Sequence, residues 1–314
     1  MTQSAPESAP TPQRTTVAVI GLGSIGGVVA GCLADAGRHD IVACVRRPLT
    51  RLTVERPEGT VEVAIRALTD PQQAAPVDWV LLATKAHDTA SVAPWLARLC
   101  RRATKVAVLQ NGIGHAQRVA PYIGGATAVP VMVYFNGERL ADDAMRLRHV
   151  GYADLEVADD AGGRAFAHLL EGTPLSVKLT ADFKTQAWRK LLINAVANPM
   201  TTLTLRRQEV LRRADIHALC LAVLDEAVAV ARADGAKVAD DEPARVMATL
   251  LTFPPEVGTS MYFDRLAGRP LEADALTGAI VAAGQRLGIA TPLNGALLTL
   301  LRAVSDAAET QGNL

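Results

Sequence analysis

The stretch Thr16-Val-Ala-Val-Ile-Gly-Leu-Gly-Ser-Ile-Gly26 decides the fold of this 314-residue chain. Thr16 to Ile20 is a short β-branched run, which is typical of a parallel strand covered on both faces. It leads into a Gly-x-Gly-x-x-Gly turn, Gly21 to Gly26, and then into a helical pattern from about Ser24 to Asp35. A second strand pattern, Asp40 to Val45, follows. Strand, glycine turn, helix and strand in this order predict a dinucleotide-binding βαβ unit.

Each glycine of the turn has a predicted task. Gly21 permits the tight turn, Gly23 lets the backbone approach a pyrophosphate, and Gly26 lets the helix and the strand pack closely. The amides at the start of the helix, at Ser24 and Ile25, would bind the pyrophosphate at the positive end of the helix dipole. A glycine turn without a ligand is the alternative interpretation, and the complete βαβ unit argues against it.

The end of the second strand indicates which dinucleotide is bound. Proteins that hold NAD carry Asp or Glu at this point, whereas this chain has Val45-Arg-Arg-Pro48. A guanidinium pairs with the 2′-phosphate that a carboxylate would repel. We therefore expect NADP(H) as the cofactor, with Arg46 as the preferred contact and Arg47 as the alternative.

Two further strands deliver polar residues to the same edge of the sheet. The apolar run Asp78 to Ala83 is followed by Lys85, and the strand Val106 to Leu109 is followed by Asn111. Ligands of open α/β sheets bind at the carboxyl ends of the strands, so both side chains are candidates for contacts with cofactor or substrate. A solvated lysine and a plain Asn-Gly turn are the alternatives.

Strand patterns stop at about Ala181, and the rest of the chain has helical patterns. The predicted fold is α/β, with a Rossmann-like doubly wound sheet over residues 15–180 and an all-helical domain over residues 181–314. Residues 1–14 are rich in Ser, Thr, Pro and Gln and are expected to be a disordered tail. Further strands are expected at Thr60 to Ile65, Ala126 to Val133, Arg146 to Gly151 and Asp154 to Ala158, and further helices at Leu211 to Asp234, Asp241 to Leu251, Glu272 to Leu287 and Leu293 to Ala308.

The composition narrows the classes of function. Thirty-two basic and 32 acidic residues give a net charge of zero, and only 4% of residues are aromatic, so nothing favours nucleic acid or anionic lipid as a partner. Apolar stretches fall short of the roughly 18 residues that a membrane span requires, so we expect a soluble protein. The four cysteines and six histidines are scattered, with neither a disulfide framework nor a zinc spacing. We therefore expect a cytoplasmic protein without a bound metal.

A second informative stretch opens the helical half: Trp188-Arg-Lys-Leu-Leu-Ile-Asn-Ala-Val-Ala-Asn-Pro199. Lys190, Asn194 and Asn198 recur every four residues in it, which is about 400° on an α-helix, so the three side chains share one stripe. This polar stripe either faces water on an amphipathic helix or lines a cleft. Asparagine forms helices poorly, which argues for the cleft, but this segment alone slightly favours the water-facing side. The other motifs of the chain reverse that preference.

Taken together, these motifs resemble the ketopantoate reductase family. The resemblance covers nearly everything from about Thr16 to Ala308 and rests on five motifs in the family's order and spacing. These are Gly21-Leu-Gly-Ser-Ile-Gly26, Ala83-Thr-Lys-Ala86, Gln110-Asn-Gly-Ile-Gly114, Trp188 to Pro199, and Thr259-Ser-Met-Tyr-Phe-Asp264 with Glu272. The family's enzymes are 2-dehydropantoate 2-reductases, which use NADPH to reduce a branched 2-keto acid on the route to pantothenate.

The resemblance implies two catalytic residues. Lys190 would be the general acid that protonates the substrate's carbonyl oxygen, which suits an ammonium in a closed cleft because it stabilises the growing alkoxide. Glu272 would accept a hydrogen bond from the substrate hydroxyl and help to hold Lys190. A carboxylate in the first turn of a helix, placed there by the helix dipole alone, is the alternative for Glu272.

The resemblance also implies the residues that bind the ligands. Asn194, Asn198 and Ser260 would bind the substrate, Lys85 the cofactor, and Asn111 would lie where the two meet. Members of the family often carry another asparagine three residues before the serine, where this chain has Val257. One polar contact is thus missing, which leaves the identity of the 2-keto acid open.

The leading function is therefore NADPH-dependent reduction of ketopantoate, a small-molecule substrate. A reductase of the same fold for a different 2-keto acid is the first alternative, and a non-catalytic NADPH-binding sensor is the second. The sequence leaves the oligomeric state open, and a homodimer is compatible with it.

Overall fold

A computed structural model describes residues 14–141, 143–148 and 153–312, with side chains described as far as residue 306. The predicted tail over residues 1–14 lies outside these ranges except for Arg14. The Arg14 guanidinium donates hydrogen bonds to the carbonyls of Gly37 and His39. The start of the described chain is thereby attached to the first helix and the second strand.

Thirteen strands form three sheets. In chain order they are β1 (Thr16–Ile20), β2 (Asp40–Cys44), β3 (Arg51–Arg56), β4 (Gly59–Ala64), β5 (Arg66–Leu68), β6 (Trp79–Leu82), β7 (Lys105–Val108), β8 (Thr127–Pro130), β9 (Met132–Val133), β10 (Asn136–Arg139), β11 (Ala144–Arg148), β12 (Leu155–Ala158) and β13 (Val177–Thr180), all within the described residues. The main sheet is parallel and six-stranded, in the order β5-β2-β1-β6-β7-β8. The strand order reverses between β1 and β6, which is where open α/β sheets bind their ligands.

Ten α-helices accompany the sheets in the described chain. They are α1 (Ser24–Ala36), α2 (Ala93–Leu99), α3 (His115–Val119), α4 (Ala161–Leu169), α5 (Phe183–Thr204), α6 (Ala214–Ala233), α7 (Glu242–Thr252), α8 (Ser260–Leu266), α9 (Thr277–Leu287) and α10 (Pro292–Gly312). The six from α5 onward form the helical half. The predicted fold class, a Rossmann-like sheet followed by a helical C-terminal region, is confirmed.

Both faces of β1 are covered, which explains its continuous apolar sequence. Val17 and Val19 point into the core shared with α1, whereas Ala18 and Ile20 point into the core shared with α2 and α3. A second sheet, in the order β10-β11-β3-β4, packs on the far side of α1. The strand expected at Thr60 to Ile65 is β4 of this second sheet, where it pairs antiparallel with β3.

The helical half is built around α5. The inward-facing residues of this helix, Leu191, Leu192, Ala195 and Val196, are at most 1% exposed and belong to one core that also takes residues from α6, α7, α9 and α10. Among the described helices, none combines the length and the apolar character that crossing a membrane would require.

The structure corrects several boundaries. The helix expected from Glu272 begins only at Thr277, so Glu272 lies in the connection before α9. The helix expected from Leu211 begins at Ala214, after a 3₁₀ turn over Gln208–Arg212. β3 and α8 had no predicted counterpart. The end of the strand expected at Arg146 to Gly151 falls on residues 149–151, outside the described residues.

Candidate functional site

A cleft of about 1820 Å³ lies between the carboxyl edge of the main sheet and the helical half. Of the site residues predicted from the sequence, all except Gly26 line it: Gly21, Gly23, Ser24, Ile25, Arg46, Lys85, Asn111, Lys190, Asn194, Asn198, Ser260 and Glu272. Residues that are far apart in the chain therefore share one cavity.

The glycine turn shapes the sheet side of the cleft. Gly21 has a φ of +92°, which side chains other than hydrogen disfavour. A Cβ at Gly26 would lie 2.0 Å from the carbonyl oxygen of Gly21, so this position admits only glycine. A Cβ at Gly23 would meet nothing within 4 Å, because Gly23 borders open cleft.

The start of α1 has the properties of an anion site. Gly23 occupies the N-cap position without a side-chain cap, and the first turn carries no acidic residue. The free amides of a helix start, together with the dipole, attract an anion. Open space beside uncapped amides fits the pyrophosphate of a dinucleotide, and no side chain in this turn competes for the amides.

Arg46 and Arg47 follow β2 directly. Both are exposed, and both line the cleft on the side of the glycine turn. The segment Val45 to Pro48 brings no carboxylate to this end of the cleft. The position therefore fits a phosphate group on the adenosine ribose.

Lys190 lies on α5 and reaches across to the strand region of the other half. Its Nζ donates a hydrogen bond to the carbonyl of Val133, and it lies 5.0 Å from the ring centroid of Tyr134. Burial lowers the pKa of Lys190 from 10.5 to about 8, and the negative charge of Glu272 offsets part of that effect. An ammonium of this kind holds its proton near neutrality and releases it more readily than a surface lysine does.

Glu272 is 5% exposed and is held by the other half of the molecule. Its carboxylate accepts hydrogen bonds from Lys85 Nζ at 2.9 Å, from Asn111 Nδ2 at 3.2 Å and from the backbone amide of Ala86 at 3.4 Å. Burial by itself would raise the pKa of Glu272, but Lys85 and these hydrogen bonds outweigh it and lower the pKa below its usual range. The carboxylate is therefore ionised.

The expected contact between Glu272 and Lys190 does not occur among the described residues. The ammonium that touches Glu272 is that of Lys85, which also lies 2.9 Å from Asp264 Oδ2. Burial would lower the pKa of Lys85, but the charges of Glu272 and Asp264 outweigh it and raise that pKa. Glu272 influences Lys190 through its charge across the cleft rather than through a direct bond.

The asparagine stripe lines the cleft as its spacing predicts. Asn198 is only 2% exposed, whereas Asn194 is partly exposed nearer to Lys190. Ser260 is exposed to the cleft at the start of α8. Thr259, which caps α8, lies 2.8 Å from Thr201 by the hydroxyl oxygens and so attaches α8 to α5.

Comparison with known proteins shows to which family this chain belongs. A family model described as ketopantoate reductase PanE/ApbA matches residues 17–162, and the model of the C-terminal part of the same family matches residues 182–305. The chain belongs to the ketopantoate reductase family. The resemblance recognised in the motifs is thereby confirmed, and the chain is an oxidoreductase by membership.

Individual relatives agree with the family. The 2-dehydropantoate 2-reductase of Caulobacter vibrioides is 39% identical over 294 residues, which is 93% of this chain and 99% of the relative. The solved structure of a dimeric ketopantoate reductase from Staphylococcus aureus is 25% identical, with a TM-score of 0.82 over 93% of this chain and 99% of that chain. A D-mandelate dehydrogenase solved with NADH and anilino(oxo)acetate is 20% identical, with a TM-score of 0.81 over 94% of this chain and 99% of that chain, and shares the fold.

Three residues that hold the ketopantoate reductase motifs in place, Asp264, Val133 and Tyr134, were not predicted from the sequence. Asp264 stands in the quoted Thr259–Asp264 motif, four residues after Ser260, and this helical spacing could have marked it as a second residue facing the site. Val133 and Tyr134 carry no comparable signal. The carbonyl and the ring that surround Lys190 come from a strand end that only the tertiary structure brings to α5.

Proposed function

We propose that this protein reduces 2-dehydropantoate to pantoate with NADPH, as a step of pantothenate biosynthesis in the cytoplasm. The observation that carries the proposal is that the Lys190 ammonium, with a pKa of about 8, shares one cleft with the glycine turn. In this proposal residues 15–180 form the domain that binds the cofactor, and residues 181–314 form the domain that binds the substrate. The cysteines among the described residues are free thiols, which fits a reducing compartment.

NADPH, when bound, supplies the hydride for the C2 carbonyl of the substrate. Gly21, Gly23, Ser24 and Ile25 would hold its pyrophosphate, and Gly26 keeps α1 close to β1 so that these amides face the cleft. Arg46 would bind the 2′-phosphate with charge-assisted hydrogen bonds. Lys85 and Asn111 would lie near the nicotinamide end, because both follow strands on the other side of the strand-order reversal.

Lys190 would deliver the proton. As hydride reaches C2, negative charge grows on the carbonyl oxygen, and the Lys190 Nζ donates a proton to that oxygen to give the hydroxyl of the product. The tertiary structure prepares this step, since burial lowers the pKa of Lys190 to about 8. Such a group is protonated at neutral pH and is a stronger acid than an exposed lysine.

The remaining polar groups would orient the substrate. Asn194, Asn198 and Ser260 line the helical side of the cleft and offer uncharged hydrogen-bond donors to the carboxylate and hydroxyl of the keto acid. Glu272 is ionised and would accept a hydrogen bond from the substrate hydroxyl, while Lys85 and Asn111 keep its carboxylate in place. Asn111 would touch substrate as well as cofactor.

A different 2-keto acid remains the competing substrate. Val257 is 42% exposed at the cleft, so the polar contact expected at this position is absent. The D-mandelate dehydrogenase shares the fold at 20% identity, so the fold alone does not fix the substrate. A non-catalytic NADPH sensor would need neither an ionised Glu272 nor a Lys190 with a lowered pKa, and both are present.

The oligomeric state belongs to the same proposal. The Staphylococcus aureus relative is dimeric, and a homodimer of this chain is the state to test first. Sedimentation of the purified protein at several concentrations would distinguish a dimer from a monomer.

The deciding experiment is the oxidation of NADPH in the presence of ketopantoate and of a panel of smaller and larger 2-keto acids. We expect ketopantoate to give the highest kcat/KM and pantoate as the product. A strong preference for another acid would reject the pantothenate assignment. Binding of NADPH without turnover of any acid would favour the sensor.

A further inference from the structure

Tyr134 places an aromatic ring beside the Lys190 ammonium, and the proposed mechanism gives this ring no task. The residue directly follows β9, is partly buried and lines the cleft. Its ring centroid lies 5.0 Å from the Lys190 Nζ. A cation within about 6 Å of a ring centroid is attracted by the negative face of the ring. Lys190 therefore has a partner whose attraction depends on the positive charge of the ammonium.

The ring of Tyr134 is held from both ends of the residue. The backbone amides of Tyr134 and Phe135 donate hydrogen bonds to the carbonyl of Asp154, at 2.7 and 3.2 Å. The Asp154 carboxylate in turn accepts hydrogen bonds from the backbone amide and the hydroxyl of Ser176, at 2.9 and 2.8 Å. At the other end, the Tyr134 hydroxyl donates to the sulfur of the buried Met132 at 3.7 Å. The ring is therefore attached to the sheet that contains β9 and β12, across the cleft from α5.

Lys190 meets this strand end with two different contacts. Its Nζ donates a hydrogen bond to the carbonyl of Val133, the residue before Tyr134. An ammonium has three N–H groups, and the carbonyl uses one of them. The ring attracts the charge as a whole and does not require an N–H group to point in one fixed direction. Carbonyl and ring together can therefore hold the ammonium while an N–H group stays available to a substrate oxygen.

The contact with the ring favours the protonated form of Lys190, in opposition to burial. Burial lowers the pKa of Lys190 to about 8, and the charge of Glu272 opposes this effect. His115 in α3 also interacts with Lys190, but burial lowers the pKa of His115 to about 4, so its ring is neutral at neutral pH. Further charged groups on the neighbouring elements have partners within the protein: Lys85 with Glu272 and Asp264, Arg118 with Gln110 and Ile113, and Arg189 with Glu242. Replacing the ring leaves these charges in place, so its own effect on Lys190 can be measured.

We propose that Tyr134 is a positioning residue for the proton donor: its ring holds the Lys190 ammonium in place and keeps it charged until hydride transfer. This inference rests on the proposed reductase function, with Lys190 as the acid. When the proton leaves Lys190 and forms an O–H bond with the substrate's alkoxide, the nitrogen keeps the electron pair and the amine is neutral. The attraction to the ring then ends. It returns when the amine takes up a proton from water, so the ring favours this step before the next turnover.

The pH profile of kcat/KM with ketopantoate tests this role. Tyr134→Leu removes the ring and keeps an apolar side chain, so the alkaline limb should move to lower pH by about 0.5 to 1 unit. Tyr134→Phe keeps the ring and removes only the hydroxyl, so the limb should stay at its wild-type position. Phe263→Leu makes the same change at an exposed aromatic residue of α8, away from the lining of the cleft, and is the matched control. NADPH affinity reports whether each variant is folded.

A second measurement does not need turnover. In protein with isotope-labelled lysine, the NMR titration of the Lys190 ε-carbon should show the same displacement in Tyr134→Leu. Where leucine disturbs the packing, phenylalanine analogues with increasing fluorination keep the shape of the ring. The limb should then move stepwise to lower pH as the face of the ring becomes less negative.

The outcomes separate the role of Tyr134 from the reductase function. An unmoved limb and an unmoved titration in Tyr134→Leu, or a uniform loss of kcat/KM at every pH, would overturn the role of Tyr134 and leave the reductase function intact. A wild type that reduces no 2-keto acid would overturn the reductase function and, with it, this inference.

Discussion

Two lysines border the same cleft, and their surroundings shift their pKa values in opposite directions. Lys85 lies between the carboxylates of Glu272 and Asp264, so its pKa is raised despite burial and it keeps its proton. Lys190 has a carbonyl and an aromatic ring as neighbours, and burial lowers its pKa to about 8. Because a general acid is most effective when its pKa is near the working pH, Lys190 is the better proton donor and Lys85 the better fixed charge.

The pH dependence follows from the lowered pKa of Lys190. A proton donor must be protonated, so kcat/KM should be level below pH 8 and fall by about tenfold per unit above it, since the profile reports the free enzyme. The charge of Glu272 raises the pKa of Lys190, so Glu272→Gln should move this alkaline limb to lower pH besides weakening the substrate contact. Values of kcat/KM measured from pH 6 to about 10 check both the position of the limb in the wild type and its movement in the variant. An alkaline limb that stays in place in Glu272→Gln would contradict the electrostatic link.

Arg46 is expected to decide the choice between the two nicotinamide cofactors. Arg46→Ala should weaken NADPH binding by about tenfold to a hundredfold and leave NADH binding unchanged, because only NADPH carries the 2′-phosphate. Fluorescence titrations with both cofactors give the ratio of the dissociation constants for NADPH and NADH. Arg47→Ala is the matched variant, and a larger effect there than at Arg46 would move the phosphate contact to Arg47.

In the turn between β1 and α1, two glycines have different surroundings, and we expect one to matter for folding and the other for binding. A Cβ at Gly26 would collide with the backbone of Gly21, whereas a Cβ at Gly23 would enter open cleft. Gly23 also has a φ of −75°, which alanine adopts without strain. Gly26 is therefore required for packing, whereas Gly23 leaves the space in which we propose that the ligand approaches.

This difference can be measured with two alanine variants. Gly23→Ala should keep the wild-type melting temperature and lose about tenfold or more in NADPH affinity, since its methyl group occupies the space proposed for the pyrophosphate. Gly26→Ala should lower the melting temperature, because the helix must move away from the strand. Full NADPH affinity in Gly23→Ala would place the pyrophosphate elsewhere.

The same elements show what the sequence can predict. β1, α1 and β2 were correctly predicted because the β-branched run of β1, the glycine spacing and the glycine that ends α1 at Gly37 are local signals. The start of α9 was placed wrongly at Glu272, since Pro270 and an acidic residue mimic a helix start. Contacts from Lys85, 187 residues away, and from Ala86 hold Glu272 in a non-helical connection. Such long-range contacts produce no periodic pattern in the sequence. β3 was not predicted for a similar reason, because one of its two partners, β11, is distant in the chain.

At the scale of the whole molecule, the two halves are joined across the cleft by charge. Lys85 follows β6 in the first half, and its two carboxylate partners belong to the helical half. Asp264 also contacts Arg269 at 2.9 Å, so its carboxylate lies between two cationic side chains, those of Lys85 and Arg269. The position of Glu272 over the sheet edge thus depends on an ion cluster between the halves.

Asp264→Asn tests this cluster. The free energy of unfolding should be about 1.5–3 kcal/mol lower in this variant, which is the contribution of a hydrogen bond between charged groups in a partly buried site. Urea unfolding measures the change. Asp274→Asn removes an ion pair with Arg302 in which both side chains are more than half exposed, and its effect should be much smaller. Equal losses in the two variants would show that the cluster does not join the halves.

Single-turnover kinetics can show whether Lys190 supplies the proton. Lys190→Ala, in excess over NADPH, is mixed with saturating ketopantoate, with Lys184→Ala, an exposed lysine on the same helix, as the control. We predict that hydride transfer slows by roughly 10³-fold or more in Lys190→Ala, that NADPH affinity is nearly unchanged, and that Lys184→Ala behaves as the wild type. Hydride transfer at a near wild-type rate in Lys190→Ala would show that Lys190 is not the proton donor.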